Sequence, residues 1–159
     1  RLNYNIPAGP ISRTHVDSLF AFPTPLSLIK ITGAQLQTVV DHAITDWTGN
    51  GRWLQISGFS FRHNPQTGKA DKLSLMTPNG PRLIQPEDTL LAVTNNYLLD
   101  ASGDQDGYRM LSDKMKVEPN APGVELKDKL IEALKAAGDK GVSPHVDHRI
   151  CNTDKNKGC

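Results

Sequence analysis

The chain has almost no net charge, only two cysteines and no hydrophobic run of membrane-spanning length. Each shortage excludes something. Eighteen Lys and Arg against 17 Asp and Glu leave a net charge of +1, so no global field gathers nucleic acid or an anionic membrane surface. A spanning helix needs roughly 20 consecutive apolar residues, and no stretch comes near that. No signal peptide stands at the start, and the chain opens on Arg1 rather than Met. The expectation is a piece of a longer or processed protein. No internal repeat is present.

Catalytic patterns are also scarce. No Gly-x-Ser-x-Gly nucleophile elbow occurs. Of the five histidines, at 15, 42, 63, 145 and 148, all but the last two are scattered and lack companion carboxylates at ligand spacing, and they read as surface residues. Both cysteines, Cys151 and Cys159, flank the polar stretch NTDKNKG near the end of the chain. A small terminal loop closed by a Cys151–Cys159 disulfide is the preferred reading, and it implies export, because the cytosol keeps thiols reduced. Two free thiols on a frayed tail are the alternative. A zinc set of His145, His148, Cys151 and Cys159 is a third reading, although its spacing matches none of the strong zinc patterns.

What is present suits a single globular domain. The chain has 159 residues, 37% hydrophobic and 22% charged, enough for a real core. Ser12 is placed to cap a short helix with Val16, Leu19 and Phe20 on one face, and FPTP (22–25) ends it. LSLIKI (26–31) reads as a strand. TGAQ (32–35) is a capping box, with Thr32 as N-cap and Gln35 three residues on. Behind it Leu36, Val39, Val40, Ala43, Ile44 and Trp47 share one helical face, and TGNG (48–51) closes the helix.

RWLQISGFSFRH (52–63) reads as a strand out of phase with itself, since Leu54 and Ile56 share one parity and Phe59 and Phe61 the other. A β-bulge near Ser57–Gly58 would reconcile them. KLSLM (72–76) and TLLAVTN (89–95) are further strands, the latter expected to be central because its apolar run is nearly continuous. GVELKDKLIEALKAAG (123–138) reads as a second long helix with Leu126, Leu130, Ile131, Leu134 and Ala137 inward and Gly138 at its end. Strands and helices mix without regular alternation, so the fold class is α+β. Residues 1–138 form the domain, and 139–159 form a polar C-terminal tail.

One stretch asks for a ligand. In TNNYLLDASGDQDGYRML (94–111) a strand ends in an aromatic, Tyr97, and a short loop follows with Asp100, Asp104 and Asp106 among glycines. One reading is a calcium loop: Ser102, Asp104, Asp106, Gly107 and Asp113 fall at places one, three, five, six and twelve of an EF-hand-like spacing. The other is a nucleoside. A base offers a flat face to an aromatic ring. A ribose offers two O–H donors to an ionised carboxylate. A glycine beside that carboxylate allows close approach of the backbone. Phe22, in the proline-stiffened FPTP segment, is the candidate for a second ring. Ordinary core packing of Phe22 and Tyr97 is the competing explanation.

Several segments, in order, resemble the C-terminal domain of the 5'-nucleotidase family, which includes UDP-sugar hydrolase: RLNYNIPAGPIS, LFAFPTPLSLIKITGAQL, GRWLQISGFSF, LLAVTNNYLL and GDQDGY. The likeness covers roughly residues 1–112, and the helix after 123 fits the family's end. The resemblance implies a layered α/β/β/α domain that binds nucleotide. It also implies a preceding metallophosphoesterase domain in the same chain, whose two divalent metal ions perform the hydrolysis. Carried over by position, Phe22 and Tyr97 match the two rings that hold the base, and Asp106 matches the carboxylate that holds the ribose hydroxyls. Arg1 matches an arginine that contacts substrate phosphate, and Ser57 and Gly58 match a strand near the base. The loop departs from the family's compact Gly-Gly-Asp-Gly form, which leaves Asp104 and Asp106, with Gly107 beside them, both open as the sugar-binding group.

The expectation is therefore the nucleotide-binding domain of an exported, periplasmic or cell-surface nucleotidase. The segment would hold no metal of its own and would be inactive alone. Its partners would be a nucleotide or dinucleotide substrate and the metal-bearing domain, with no nucleic acid and no membrane span. The alternative is a non-catalytic module that uses the acidic loop 100–107 to bind calcium or a protein.

Overall fold

The computed structural model describes residues 4–45 and 51–152. Helix α1, Arg13–Leu19, is capped by Ser12, whose hydroxyl accepts from the His15 N–H while the Ser12 N–H donates to the His15 ring. Strand β1, Pro25–Thr32, runs directly into helix α2, Gly33–Ala43. Thr32 and Gln35 form the expected capping box at 3.2 and 2.8 Å. Leu36, Val39, Val40, Ala43 and Ile44 are all buried, as their spacing requires. Trp47 lies outside the described residues.

The remaining strands are β2 (Phe59–Asn64), β3 (Lys69–Thr77), β4 (Gly80–Leu83), β5 (Thr89–Asn95), β6 (Val124–Glu125) and β7 (Ile150–Asn152). They form two sheets. One is antiparallel, in the order β5-β1-β6; the other is mixed, in the order β4-β3-β2-β7, with β7 parallel to β2. Helix α3, Leu126–Ala137, ends at Gly138 with φ of 52° and packs against α1. Ile29 and Ile31 of β1, the buried face of α2, Phe61 and Leu73 of the second sheet, and Leu98, Leu99 and Leu111 make one core. Helices and two sheets without alternation make the fold α+β.

Three local expectations change. β5 is an edge strand, not a central one: among the described residues it pairs with β1 alone in its sheet, and Leu91 and Val93 are 67% and 63% exposed. Alternate residues Leu90 and Ala92 pack against the core, so an apolar run is not by itself a two-sided burial signal. The phase change near residue 57 is not a bulge inside a long strand. Gly58 takes φ of 83°, β2 begins only at Phe59, and the register irregularity falls between Ser60 and Arg62. In α3 the apolar residues do share a face, but none is buried, because the helix sits at the surface. Beyond residue 138 the chain also supplies β7, three residues too short to show a pattern, with Cys151 and Asn152 buried.

Candidate functional site

An open cavity of about 880 Å³ lies where β1 begins and β5 ends. Its walls are segments 22–25 and 51–54, the turn after β5, Asp106 and Tyr108. Phe22 is 80% exposed and Tyr97 is 50% exposed, and both line this cavity. An exposed aromatic ring gives up its burial energy, so neither ring is there to fill the core.

The backbone beneath Phe22 is held firmly. Pro23 and Pro25 fix two φ angles. Thr24 N–H donates to the Glu125 carboxylate at 2.9 Å, the Thr24 carbonyl accepts from Leu126 N–H at 3.0 Å, and the Thr24 hydroxyl donates to the Phe22 carbonyl at 3.2 Å. The start of α3 thereby clamps the FPTP segment. Tyr97 sits in a 3-10 turn, Asn96–Leu99, whose N-cap is Asn95; its side chain accepts from Leu98 N–H at 3.0 Å. Leu98 and Leu99 are buried and anchor the turn, which leaves the ring of Tyr97 outward.

Asp106 is brought to the same cavity by an unusual turn. Gln105, Asp106 and Gly107 have φ of 54, 48 and 81° in succession. Left-handed backbone costs roughly 1–2 kcal/mol for each side-chain-bearing residue, so the turn needs external support. Gln105 supplies part of it: the side chain is buried and its amide donates to the Leu98 carbonyl at 2.8 Å. Gly107 meets the ring of His42, against which an added Cβ would lie only 2.9 Å from Cε1. His42 Nε2 is 2.9 Å from the Asp106 carbonyl. Tyr108 is fully buried as a residue, packs edge-on to His42 with centroids 4.6 Å apart, and donates its hydroxyl to the Arg52 carbonyl. His42, expected at the surface, is half-buried behind the loop.

The Tyr97 hydroxyl lies 3.4 Å from Asp106 Oδ1, a long contact that a ligand hydroxyl could replace. Partial burial first, and the Asp106 carboxylate second, raise the Tyr97 phenol above its ordinary value. The ring therefore presents a neutral donor and a neutral face at physiological pH. Burial, then the charge of Asp106, raise Tyr108 as well, with the Arg52 guanidinium opposing. Two rings and a carboxylate on one cavity suit a flat, hydroxyl-bearing molecule.

A family model described as 5'-nucleotidase, C-terminal domain, matches residues 1–113. The chain belongs to that family. Among solved structures, the chain is similar to a 5'-nucleotidase precursor from Thermus thermophilus, with a TM-score of 0.74 at 22% identity over 95% of this chain and 29% of that one. It is also similar to the NAD nucleotidase of Haemophilus influenzae, with a TM-score of 0.60 at 17% identity over 89% of this chain and 25% of that one. A sulfate thiohydrolase, SoxB, from Thermus thermophilus gives 0.61 at 18% identity over 95% and 27%. At these identities the likeness establishes the fold. The chain spans 25 to 29% of the length of these three proteins. No curated protein matches the chain.

In this 5'-nucleotidase C-terminal domain the residues read from sequence divide as follows. Phe22, Tyr97 and Asp106 converge on one cavity. Asp104 does not line it, although its charge is one of the influences raising Tyr97. Gly107 lies behind the cavity, against His42. Ser57 and Gly58 line a second, apolar cavity of about 650 Å³ beside β5 instead. Among the described residues no group of three or more His, Cys, Asp or Glu is placed to hold a metal ion, so neither the calcium spacing of 102–113 nor His145 with His148 gathers as a ligand set there. Cys151 is buried and is not a free thiol. Arg1 and Cys159 lie outside the described residues.

Sequence reasoning missed Arg52, Trp53, Tyr108, Gln105, His42 and Glu125. The capping preference of Asn95 was legible in Asn-Asn before Tyr97. Arg52 and Trp53 lie in the quoted segment GRWLQISGFSF, but no local pattern marked them as cavity residues; the Arg52 carbonyl is met by the hydroxyl of Tyr108, far along the chain.

Proposed function

We propose that this domain binds the nucleoside part of a nucleotide or dinucleotide for a metal-dependent phosphohydrolase, and that it does not itself cleave the phosphate ester. The observation that carries this reading is the shared cavity of Phe22, Tyr97 and Asp106, in which Phe22 meets a segment far along the chain and both rings stay exposed. The base stacks on the two rings, each worth roughly 1–3 kcal/mol. The Asp106 carboxylate accepts from the ribose hydroxyls in charge-assisted hydrogen bonds. Asp106 is preferred to Asp104 because it alone of the two lines the cavity. Arg1 neutralises substrate phosphate.

Hydrolysis belongs to a metallophosphoesterase domain of the same protein. Its divalent metals would supply an activated water and polarise the phosphoryl group. The names of the similar structures, two of which are nucleotidases, are consistent with that division. Export to the periplasm or cell surface, with Cys151 paired to Cys159, completes the proposal.

Calorimetric titration of this domain with adenosine, AMP and inorganic phosphate tests it. Saturable binding of adenosine and AMP, with no phosphate released on adding divalent metal, is the expected result. Turnover of AMP by the domain alone would overturn the division of labour, and absence of nucleoside binding would overturn the site.

A further inference from the structure

We propose that His42 is a positioning residue for the Asp106 carboxylate, holding the left-handed turn 105–107 in the conformation that presents that carboxylate to the cavity. The inference rests on the nucleoside reading above.

Three adjoining residues meet the His42 ring. Nε2 is 2.9 Å from the Asp106 carbonyl. A carbonyl only accepts, so Nε2 carries the proton and donates. At Gly107 a Cβ would stand 2.9 Å from Cε1 and 3.0 Å from Nε2, so the ring approaches only because residue 107 has no side chain. Tyr108 takes the ring edge-on at an interplanar angle of 82°. A ring gripped by three successive residues is a template for the turn.

The turn needs one. Three consecutive positive φ angles at Gln105, Asp106 and Gly107 are disfavoured for side-chain-bearing residues and persist only where surroundings over-determine them. The buried amide of Gln105 fixes the inner end through Leu98. The N–H of the peptide after Asp106 is held within the turn, by the Asp104 carbonyl at 3.0 Å, and its carbonyl needs a partner on the other side. His42 is that partner. With the carbonyl of Asp106 held on the α2 side, its side chain is committed to the other side, where Oδ1 lies 3.4 Å from the Tyr97 hydroxyl.

His42 is itself well placed to act as a reference point. It lies in the last turn of α2, and its neighbour Asp41 accepts from Ala70 N–H at 2.8 Å and from the Gln37 amide at 2.9 Å. Gln37 donates as well to the Ala70 carbonyl at 2.9 Å. The end of α2 is thus tied to β3. Rigidity passes from the second sheet through Asp41 and His42 to the turn.

The test compares His42→Phe, which keeps a ring of similar size but removes the donor, with His42→Gln, which keeps a side-chain N–H donor. Both are made in the intact protein beside Asp106→Asn. Calorimetry measures the preference for adenosine over 2',3'-dideoxyadenosine, which lacks the hydroxyls that Asp106 would accept. The expected result is that H42F lowers that preference about tenfold, as loss of one charge-assisted hydrogen bond would. Affinity for the dideoxy ligand should stay unchanged, and H42Q should recover much of the preference. An equal loss for both ligands in H42F would overturn the proposal in favour of a general packing role. A preference that survives H42F but is lost in D106N would overturn it too, while leaving the ribose reading intact. A wild-type protein with no preference would refute the ribose reading itself, and His42 with it.

Discussion

Leu26 stands opposite Asn95 across the β1–β5 ladder. That pairing brings Phe22 and Tyr97 to one cavity. β1 and β5 are antiparallel, so the residues entering β1 and those leaving β5 meet at the same end of the sheet. Phe22 lies just before the first and Tyr97 just after the second. The clamps at Thr24 and Asn95 then hold both rings out of the core.

Phe22→Ala and Tyr97→Ala should each weaken adenosine binding by roughly 1–3 kcal/mol. Phe22→Ala should leave stability within about 0.5 kcal/mol, because the ring is 80% exposed and surface changes of that kind are near neutral. Calorimetry and urea unfolding on the same samples check both. A large loss of stability in Phe22→Ala would mean the ring is a packing residue after all.

Gly33→Ala should be far more damaging than its place in a helix suggests. Alanine ordinarily favours a helix by about 1 kcal/mol over glycine. Here an added Cβ would overlap the Gln85 carbonyl oxygen, a backbone atom rather than the end of a flexible side chain. Gly33 and Ala34 N–H groups also donate to the carbonyls of Asp88 and Pro86 at 2.9 Å, so separating the segments breaks these bonds. The expected cost is above about 2 kcal/mol, read as a lowered urea midpoint. A neutral or stabilising result would refute the close approach.

Thr32→Ala should cost about 1 kcal/mol by removing the acceptor for Gln35 N–H at the start of α2. Thr32→Ser should be nearly silent. Thermal unfolding of the pair decides it, since loss of a methyl would affect both variants alike.

Tyr108 predicts a pH dependence. Its phenol is raised above the ordinary 10.0 by burial and then by the Asp106 charge. In the unfolded chain the phenol ionises around 10.0, while in the folded chain it keeps its proton to higher pH. Folding is therefore favoured fully below that point and loses stability as pH rises above it. Tyr108→Phe should flatten the alkaline decline and, by removing the hydrogen bond to the Arg52 carbonyl, cost roughly 1–2 kcal/mol at neutral pH. Urea midpoints for both proteins below and above pH 10.0 test the two effects separately.

Local physics was written in the sequence. The capping residues Ser12 and Thr32, the apolar face of α2, the strand over 89–95 and the glycine at the end of α3 each depend on neighbours within a few residues. Pattern therefore sufficed for them, and the resemblance of the quoted motifs pointed to the rings and the acidic loop. Tertiary structure alone decided the rest. Whether β5 is central or at an edge depends on which strands come beside it. Whether Asp106 or Asp104 faces the cavity depends on a left-handed turn held by Gln105, and on His42 from a distant helix. The Arg52 carbonyl is met by a tyrosine hydroxyl far along the chain, and Ser57 and Gly58 line a different cavity. A hydrogen bond across such separations leaves no period in the sequence, because its two ends meet only after the sheets have formed.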